Sequence, residues 1–202
     1  MQIAHCGRQT RSKSTGLQTV APSAIRDAFF NEDMPKELSE NEIIQIIDNF
    51  VSAITRAKQA GFDGVQLHLA QGYLLSEFLS SQSNRRKDCW GGSTENKYRI
   101  VDEIFKRAKE QVGNYPILVK MNAYDGRKNG MRIEEAIQIA QMLDFESTIN
   151  RISSDSEAEW AFVRYGHYAT PSARCLWWHS VDLSRTTAFC WHHPGKPVDL
   201  SE

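Results

Sequence analysis

The sequence predicts an α/β fold built on a parallel sheet. Three apolar runs, "MQIAHCG", "FDGVQLHLA" and "YPILVKMN", are typical of strands, and long stretches with helical periodicity separate them. A helical crossover is long enough to return the chain to the same edge of a sheet, so strands joined in this way pair in parallel. The repeated order of strand and helix therefore favours about three βα units.

The first strand leads into residues 9–38, which are rich in serine, threonine, proline and charge and are predicted to form a long functional loop. A helix is then predicted from Ser39 to about Ala60. Ser39 and Glu42 have the spacing of a capping box, in which each side chain bonds a backbone N–H of the first turn. Gly61 provides a left-handed end. Apolar residues recur every three or four positions along this helix, at Ile43, Ile46, Ile47, Phe50, Ile54 and Ala57.

Two further helices complete the pattern. One is predicted from about Thr94 to Val112, with Gly113 as its stop, between the second and third strands. The other, "RIEEAIQIAQML", follows the third strand and is predicted to end near Leu143. Residues 1–143 are thus accounted for by alternating strands and helices.

The character of the chain changes at residue 144. Residues 144–202 show neither helical nor strand periodicity, although they contain four of the five tryptophans and four of the six histidines. We interpret this segment as an unrelated irregular C-terminal tail, either frameshifted or disordered. Its Cys190, His192 and His193 lack regular ligand spacing, so no metal site is predicted.

The composition points towards small-molecule chemistry. Lysine and arginine number 24 against 25 acidic residues, a net charge of -1, so there is no electrostatic signal for binding nucleic acid or an anionic membrane. No run approaches the ~20 apolar residues of a membrane span, and the N-terminus lacks an apolar leader, which favours a cytoplasmic protein. The four cysteines form no C-x-x-C pair, so reduced thiols are expected.

Candidate site residues lie where the predicted strands end, because loops at that edge of a parallel sheet carry functional groups. His68 and Gln71 can offer two N–H donors to one oxygen on which negative charge develops. Tyr73 can act as a general acid. The alternatives are that His68 only bonds a neighbouring carbonyl at the strand end and that Tyr73 is a core residue.

Two more polar residues accompany the other strands. Lys120 follows the apolar "ILV", and a lysine there needs an anionic partner, either a carboxylate of the protein or a ligand. Gln2 can present a donor and an acceptor to a planar heterocycle, or it can be an ordinary strand-end amide.

The loop "NRRKDCWGGSTENKYR" allows two interpretations. Its paired glycines would let backbone N–H groups approach an anion. Alternatively, Arg86 pairs with Asp88 and Asn84 bonds backbone groups, which would hold the loop rigid; the residue types favour this structural role.

Taken together, "QIAHCGRQT", "AGFDGVQLHLAQGYLLSEFLSSQSNRRKDCWGGSTENKYR" and "YPILVKMN" resemble the old yellow enzyme family of FMN-dependent NADH:flavin oxidoreductases over residues 1–143. The resemblance implies a partial TIM (β/α)8 barrel in which the three strands correspond to family strands three to five. It implies FMN as cofactor, NADH or NADPH as reductant, and an activated alkene such as an α,β-unsaturated carbonyl as small-molecule substrate.

The resemblance also implies a role for each candidate. Gln2 is similar to the glutamine that binds the flavin pyrimidine, and Lys120 to the basic residue beside flavin N1 and O2. His68 is similar to the first of two donors that hold the substrate oxygen, and Tyr73 to the proton donor. Gln71 stands where the second donor is usually asparagine or histidine. In the same comparison Ser81 replaces a usual proline.

Two other interpretations stay open. The chain can be an inactive truncated or frameshifted fragment of such an enzyme. It can also be a subunit that acts as a homo-oligomer or is completed by a partner chain supplying further strands, since an exposed sheet edge favours pairing.

Overall fold

The core of the fold is a sheet of five strands. The protein is represented by a computed structural model, which describes residues 1–27, 33–145, 149–153 and 162–163. Its strands are β1 Gln2–Ile3, β2 Val20–Ala21, β3 Lys36–Glu37, β4 Val65–Leu69, β5 Ile117–Met121, β6 Ile149–Ser153 and β7 Phe162–Val163. Its helices are α1 Ser12–Thr15, α2 Glu40–Gln59, α3 Leu74–Leu79, α4 Thr94–Val112 and α5 Ile133–Phe145.

The main sheet has the order β1-β4-β5-β6-β7. The first three pairings are parallel, and β7 runs antiparallel to β6. The predicted α/β fold with parallel strands is therefore confirmed. Strand β4 has parallel neighbours, β1 and β5, on either side, which brings the carboxyl ends of these three strands to one edge of the sheet.

Helix α2 confirms the predicted capping box. The Ser39 hydroxyl accepts a hydrogen bond from the Glu42 N–H at 3.4 Å, and the Glu42 carboxylate accepts one from the Ser39 N–H at 2.9 Å. Gly61 has a φ of 82°, the left-handed backbone predicted for the residue that ends this helix. Within the described residues no helix combines the length and apolarity needed to cross a membrane.

The hydrophobic core lies between the sheet and the long helices. The odd-numbered residues of β4 are buried and belong to one apolar cluster with the stripes of α2 and α4. The predicted stripe of α2 is buried, and so are Ile100, Ile104 and Phe105 of α4. Trp90, in the loop before α4, is 5% exposed and packs into the same cluster.

The segment predicted as one long loop contains more structure than its sequence indicates. Helix α1 lies within it, and β2 pairs in parallel with β3. The Lys36 N–H donates to the Thr19 carbonyl at 2.8 Å, and the Leu38 N–H donates to the Ala21 carbonyl at 3.0 Å. Strands of two residues are too short to show a period, which is why the sequence gives no sign of this small sheet.

The main sheet continues past residue 143. Strand β6 pairs in parallel with β5, Ile117 lying opposite Ile149 and Lys120 opposite Ser153. The separate origin of residues 144–202 stays a prediction. The predicted absence of a metal site at Cys190, His192 and His193 falls outside the described residues.

Candidate functional site

One face of the main sheet is polar. Side chains alternate along β4, so Gln66 and His68 point away from the face that packs on the helices. The strand register sets Gln2 beside Gln66 and Lys120 beside His68. Register partners in neighbouring strands point to the same side, so Gln2, His68 and Lys120 share this face.

The flanking members of this face are accessible. Gln2 is exposed, and its Nε2 donates to Gln66 Oε1 at 2.7 Å. Lys120 is half-buried, although it follows an apolar run. Gln2 and Lys120 thus lie on the strands on either side of β4.

His68 and Tyr73 are in contact. Their ring centroids are 4.8 Å apart with an interplanar angle of 56°. His68 is 3% exposed, and half-buried Tyr73 is the residue that precedes α3. The structure thus brings together two of the side chains singled out in the sequence, one buried and one that reaches solvent.

Gln71 lies in a left-handed turn between these two residues. Its φ is 60° and that of Gly72 is 77°. The positive φ favours glycine at position 72, and a Cβ atom there would lie 2.4 Å from Gln9 Nε2, so the Gln9 side chain would have to move. The Gln71 side chain is exposed. The convergence of His68 and Gln71 donors on one oxygen stays a prediction.

Side chains from two other strand ends bond the backbone of this turn. The Gln71 N–H donates to Asn122 Oδ1 at 3.1 Å, and Gln9 Nε2 donates to the Gln71 carbonyl at 2.8 Å. Asn122 Nδ2 in turn donates to Asp125 Oδ1 at 3.1 Å. The turn is therefore tied to the loop after β1 and to the loop after β5.

His5, at the end of β1, joins the same region. Its Nδ1 accepts a hydrogen bond from the Gly7 N–H at 3.0 Å, and its carbonyl accepts one from the Leu74 N–H at 2.9 Å. Burial lowers the pKa of His5, which keeps the imidazole neutral at pH 7 with its proton on Nε2. This residue ties the end of β1 to the start of α3.

A buried charged cluster supports the loop after β1. Glu77 is 1% exposed and accepts the Arg8 N–H at 2.9 Å, and the Arg8 guanidinium lies 3.9 Å from Glu77 and 3.7 Å from Asp27. Burial raises the pKa of Glu77 to about 8, although the Arg8 backbone bond and guanidinium oppose the shift. Gly7 has a φ of 59°, and a Cβ there would lie 2.5 Å from Glu77 Oε1.

The structural interpretation of the loop "NRRKDCWGG" is confirmed. Asn84 Nδ2 donates to the carbonyls of Phe78 and Trp90, each at 2.8 Å. Arg86 donates to Asp88 at 2.6 Å, and its other guanidinium nitrogen donates to the Leu38 carbonyl, also at 2.6 Å. These side chains are engaged in holding the loop against the fold.

Ser81, at the position where the family resemblance implies a proline, has a structural role. Lys97 is 1% exposed, and its ammonium donates to Ser81 Oγ at 2.9 Å and to Glu135 Oε1 at 2.5 Å. A proline would supply no hydroxyl acceptor here. The serine therefore helps to satisfy a buried charge between α4 and α5.

Sequence reasoning missed some of these residues. Asn122 is not among the missed residues, because it ends the third predicted strand, where functional groups are expected. Glu77 was missed, and its signal was a lone carboxylate inside the apolar run "LLSEFL". Gln9 gave no signal, because nothing in a polar loop marks one amide as the partner of a distant turn.

A model of the NADH:flavin oxidoreductase / NADH oxidase family matches residues 1–171, which extends beyond the boundary predicted at residue 143. The chain is 49% identical over 146 residues to a protein named NADH oxidase from Thermoanaerobacter brockii. It is 40% identical over 144 residues to an NADPH dehydrogenase from Listeria monocytogenes serotype 4b. Each match covers 71% of this chain, but only 22% and 41% of the respective relatives.

Solved structures of similar proteins agree with this match. A 2-naphthoyl-CoA reductase in complex with 2-naphthoyl-CoA superposes with a TM-score of 0.71 at 30% identity, covering 77% of this chain and 26% of the reductase. An old yellow enzyme homologue from Zymomonas mobilis superposes with a TM-score of 0.66 at 28% identity, covering 77% of this chain and 47% of the homologue. The family match and these likenesses together show that the chain belongs to the NADH:flavin oxidoreductase / NADH oxidase family, that of old yellow enzyme.

Proposed function

We propose that this chain carries the substrate end and part of the flavin cradle of an FMN-dependent oxidoreductase. The enzyme would pass a hydride from NADH or NADPH, through the flavin, to an activated alkene such as an α,β-unsaturated carbonyl. The observation that carries the proposal is the shared polar face, where His68 lies beside Lys120 and contacts Tyr73. The family description names NADH and flavin, which agrees with this chemistry.

The donor set on the polar face suits a flavin. The Gln2 amide offers N–H and C=O groups to a pyrimidine edge, and the Lys120 ammonium favours a site of negative charge such as the flavin N1 and O2 region. The two residues lie on the strands either side of β4, two strand spacings apart across the sheet and two residues apart along it, or roughly 12 Å. When bound, FMN would supply the hydride. Gln2 and Lys120 would bind and orient its ring.

The remaining residues would act on the substrate. His68 and Gln71 would donate hydrogen bonds to its carbonyl oxygen, which favours the negative charge that develops there when the alkene is reduced. The Tyr73 hydroxyl would deliver the proton that completes the reduction at the neighbouring carbon. Tyr73 is half-buried and so can regain a proton from solvent. Buried His68 would keep water away from the reacting carbons.

The proposal is tested first by flavin binding and then at His68. The purified chain should take up FMN and show a flavin absorbance band. His68→Ala should then weaken a phenolic ligand roughly tenfold to a hundredfold, since a hydrogen bond to a charged oxygen contributes about 1.5–3 kcal/mol. Titration of the flavin band measures this affinity.

His68→Asn serves as the matched variant, because it keeps a shorter N–H donor and should retain part of the affinity. FMN should stay bound in both variants. Failure of the unaltered chain to bind FMN would refute the proposed function. If His68→Ala loses FMN while the unaltered chain and His68→Asn keep it, His68 would be assigned to flavin binding and not to substrate binding.

A further inference from the structure

We propose that Asn122 is a positioning residue that holds the Gln71–Gly72 turn, and through it sets His68 and Tyr73, in the geometry that receives substrate. The inference deepens the proposed function and rests on it. The observation behind it is local: one buried side chain after β5 binds the backbone of a left-handed residue after β4.

The turn needs such support. Gln71 is one of two non-glycine residues with positive φ in the described part of the chain. A residue with a side chain is disfavoured in this conformation, and the strain persists only where surrounding contacts enforce it. Asn122 bonds the N–H of Gln71 and Gln9 bonds its carbonyl, so both peptide units around its Cα atom are fixed.

The orientation of the Asn122 amide is itself determined. The Gln71 N–H can only donate, so Oδ1 of Asn122 must face it and Nδ2 must face Asp125. The other oxygen of Asp125 accepts from Ser80 Oγ at 2.6 Å and from the Met131 N–H at 2.7 Å. Asn122 is 9% exposed. A network from α3 and the loop after β5 therefore aims one acceptor at the turn.

The turn connects the two residues assigned to the substrate. His68 lies three residues before Gln71 and Tyr73 two residues after it, and their rings are in contact. A shift of the turn must therefore change the relative position of the substrate donors and the proton donor. Displacement of a reacting group by about 1 Å can cost on the order of a hundredfold in rate.

Hydrogen exchange tests the structural half of the inference without any flavin. Asn122→Ala should speed exchange of the Gln71 amide at least tenfold and leave the core of β4 protected. The matched control is Asn114→Ala, which alters an exposed asparagine before the other end of β5 and should leave this exchange unchanged. Exchange in Asn122→Ala equal to that of the unaltered chain would overturn the inference.

Ligand binding tests the functional half. In FMN-loaded protein, Asn122→Ala should raise the dissociation constant of para-nitrophenol at least tenfold, read from the flavin band, while the affinity for FMN stays within twofold. Gln9→Ala removes the opposite bond to the same turn from a half-buried loop residue, and it should have the same effect even if Asn122→Ala folds poorly.

The two proposals fail in different ways. An unchanged para-nitrophenol affinity in both variants, with FMN bound, would overturn the role of Asn122 and leave the proposed function intact. If the unaltered chain binds no FMN, the proposed function fails. The positioning of the turn is tested separately, because it is overturned if the Gln71 amide exchanges at the same rate in Asn122→Ala as in the unaltered chain.

Discussion

Glu77 is a buried carboxyl group that bonds the loop after β1, at the edge of the sheet that carries the candidate site. Its carboxyl group lies 3.9 Å from the guanidinium of Arg8, in the loop after β1. It also lies against Gly7, where a Cβ atom would be only 2.5 Å from Glu77 Oε1. Asp27, on the other side of Arg8, also raises the pKa of Glu77, in addition to the larger effect of burial. One guanidinium between two carboxyl groups is close to electrically balanced when Glu77 is protonated.

This cluster predicts a pH dependence of stability. The pKa of Glu77 rises from its ordinary 4.5 to about 8 on folding, so the folded chain binds more protons between these values. Its contribution is complete below pH 4.5 and is lost as the pH rises towards 8. Glu77→Gln should therefore become more stable relative to the unaltered chain by up to about 1.4 kcal/mol per pH unit in this window.

Urea denaturation at pH 5, 6.5 and 8, followed by circular dichroism, measures this difference. Glu110→Gln, an exposed carboxylate on α4, serves as the control and should leave the pH profile unchanged. Parallel pH profiles for Glu77→Gln and the unaltered chain would contradict the protonation of Glu77.

At the scale of residues, the sequence predicted positions better than conformations. The ends of β1, β4 and β5 are marked by polar residues after apolar runs, so Gln2, His68 and Lys120 could be grouped in advance. The left-handed backbone of Gln71 could not be predicted, because glutamine has no preference for that conformation. The side-chain amides of Gln9 and Asn122, which are distant in the sequence, hold it. The role of Tyr73 as a proton donor was predicted from its residue type and from the family resemblance, whereas its contact with His68 is visible only in the structure.

Among the elements, helix α2 had the strongest local signals and its bounds were predicted to within one residue. Its N-terminal cap joins Ser39 to Glu42, and Lys36 donates to the same carboxylate at 2.6 Å. The hydrogen bond from Lys36, followed by those from Ser39, lowers the pKa of Glu42 to about 2. The cap therefore persists in moderately acidic solution.

The cap supports a direct prediction of stability. Ser39→Ala should lower the free energy of unfolding by about 1 kcal/mol, because the Glu42 N–H loses its acceptor, while Ser39→Gly should cost only a few tenths. Thermal and urea denaturation of the two variants provide the measurement. An unchanged free energy of unfolding in Ser39→Ala would show that the hydroxyl contributes nothing as a cap.

The two-residue strands β2 and β3, unlike α2, have no local signal in the sequence. Strands β2 and β3 contain two residues each, and their pairing depends on two backbone hydrogen bonds across a long segment. No local pattern encodes such a pair. Arg86, far along the chain, bridges the pair by donating to the carbonyls of Pro22 and Leu38, which directly follow the two strands.

For the whole molecule, stability depends on the layer in which α2 and α4 cover the sheet. Ile104 of α4 is fully buried there, whereas Ile137 of α5 is 39% exposed. Ile104→Ala should cost about 2–5 kcal/mol through lost burial and a residual cavity, and Ile137→Ala less than about 1 kcal/mol. Urea denaturation of both variants tests this, and equal costs would contradict the assigned core.

The order of strands and helices allowed the α/β architecture to be predicted, since periodicity and caps are local properties. Strand β6 escaped prediction because "INRIS" is short and mixes polar with apolar residues, so it shows no clear strand period. Strand β6 forms by pairing with β5, and a local sequence pattern cannot show a pairing with a distant strand.

The chain spans 22% to 41% of its two relatives, so its catalytic activity stays a proposal.

Trp90 can serve as a fluorescence probe of the core, because its side chain is buried there. It is the only tryptophan in residues 1–143, and the other four lie at 160, 177, 178 and 191. Replacing those four with phenylalanine would leave one indole fluorophore, packed among apolar side chains at 5% exposure. Its emission would shift to longer wavelength when this core opens to water. The intrinsic fluorescence of that variant would then report on the α/β part of the chain alone.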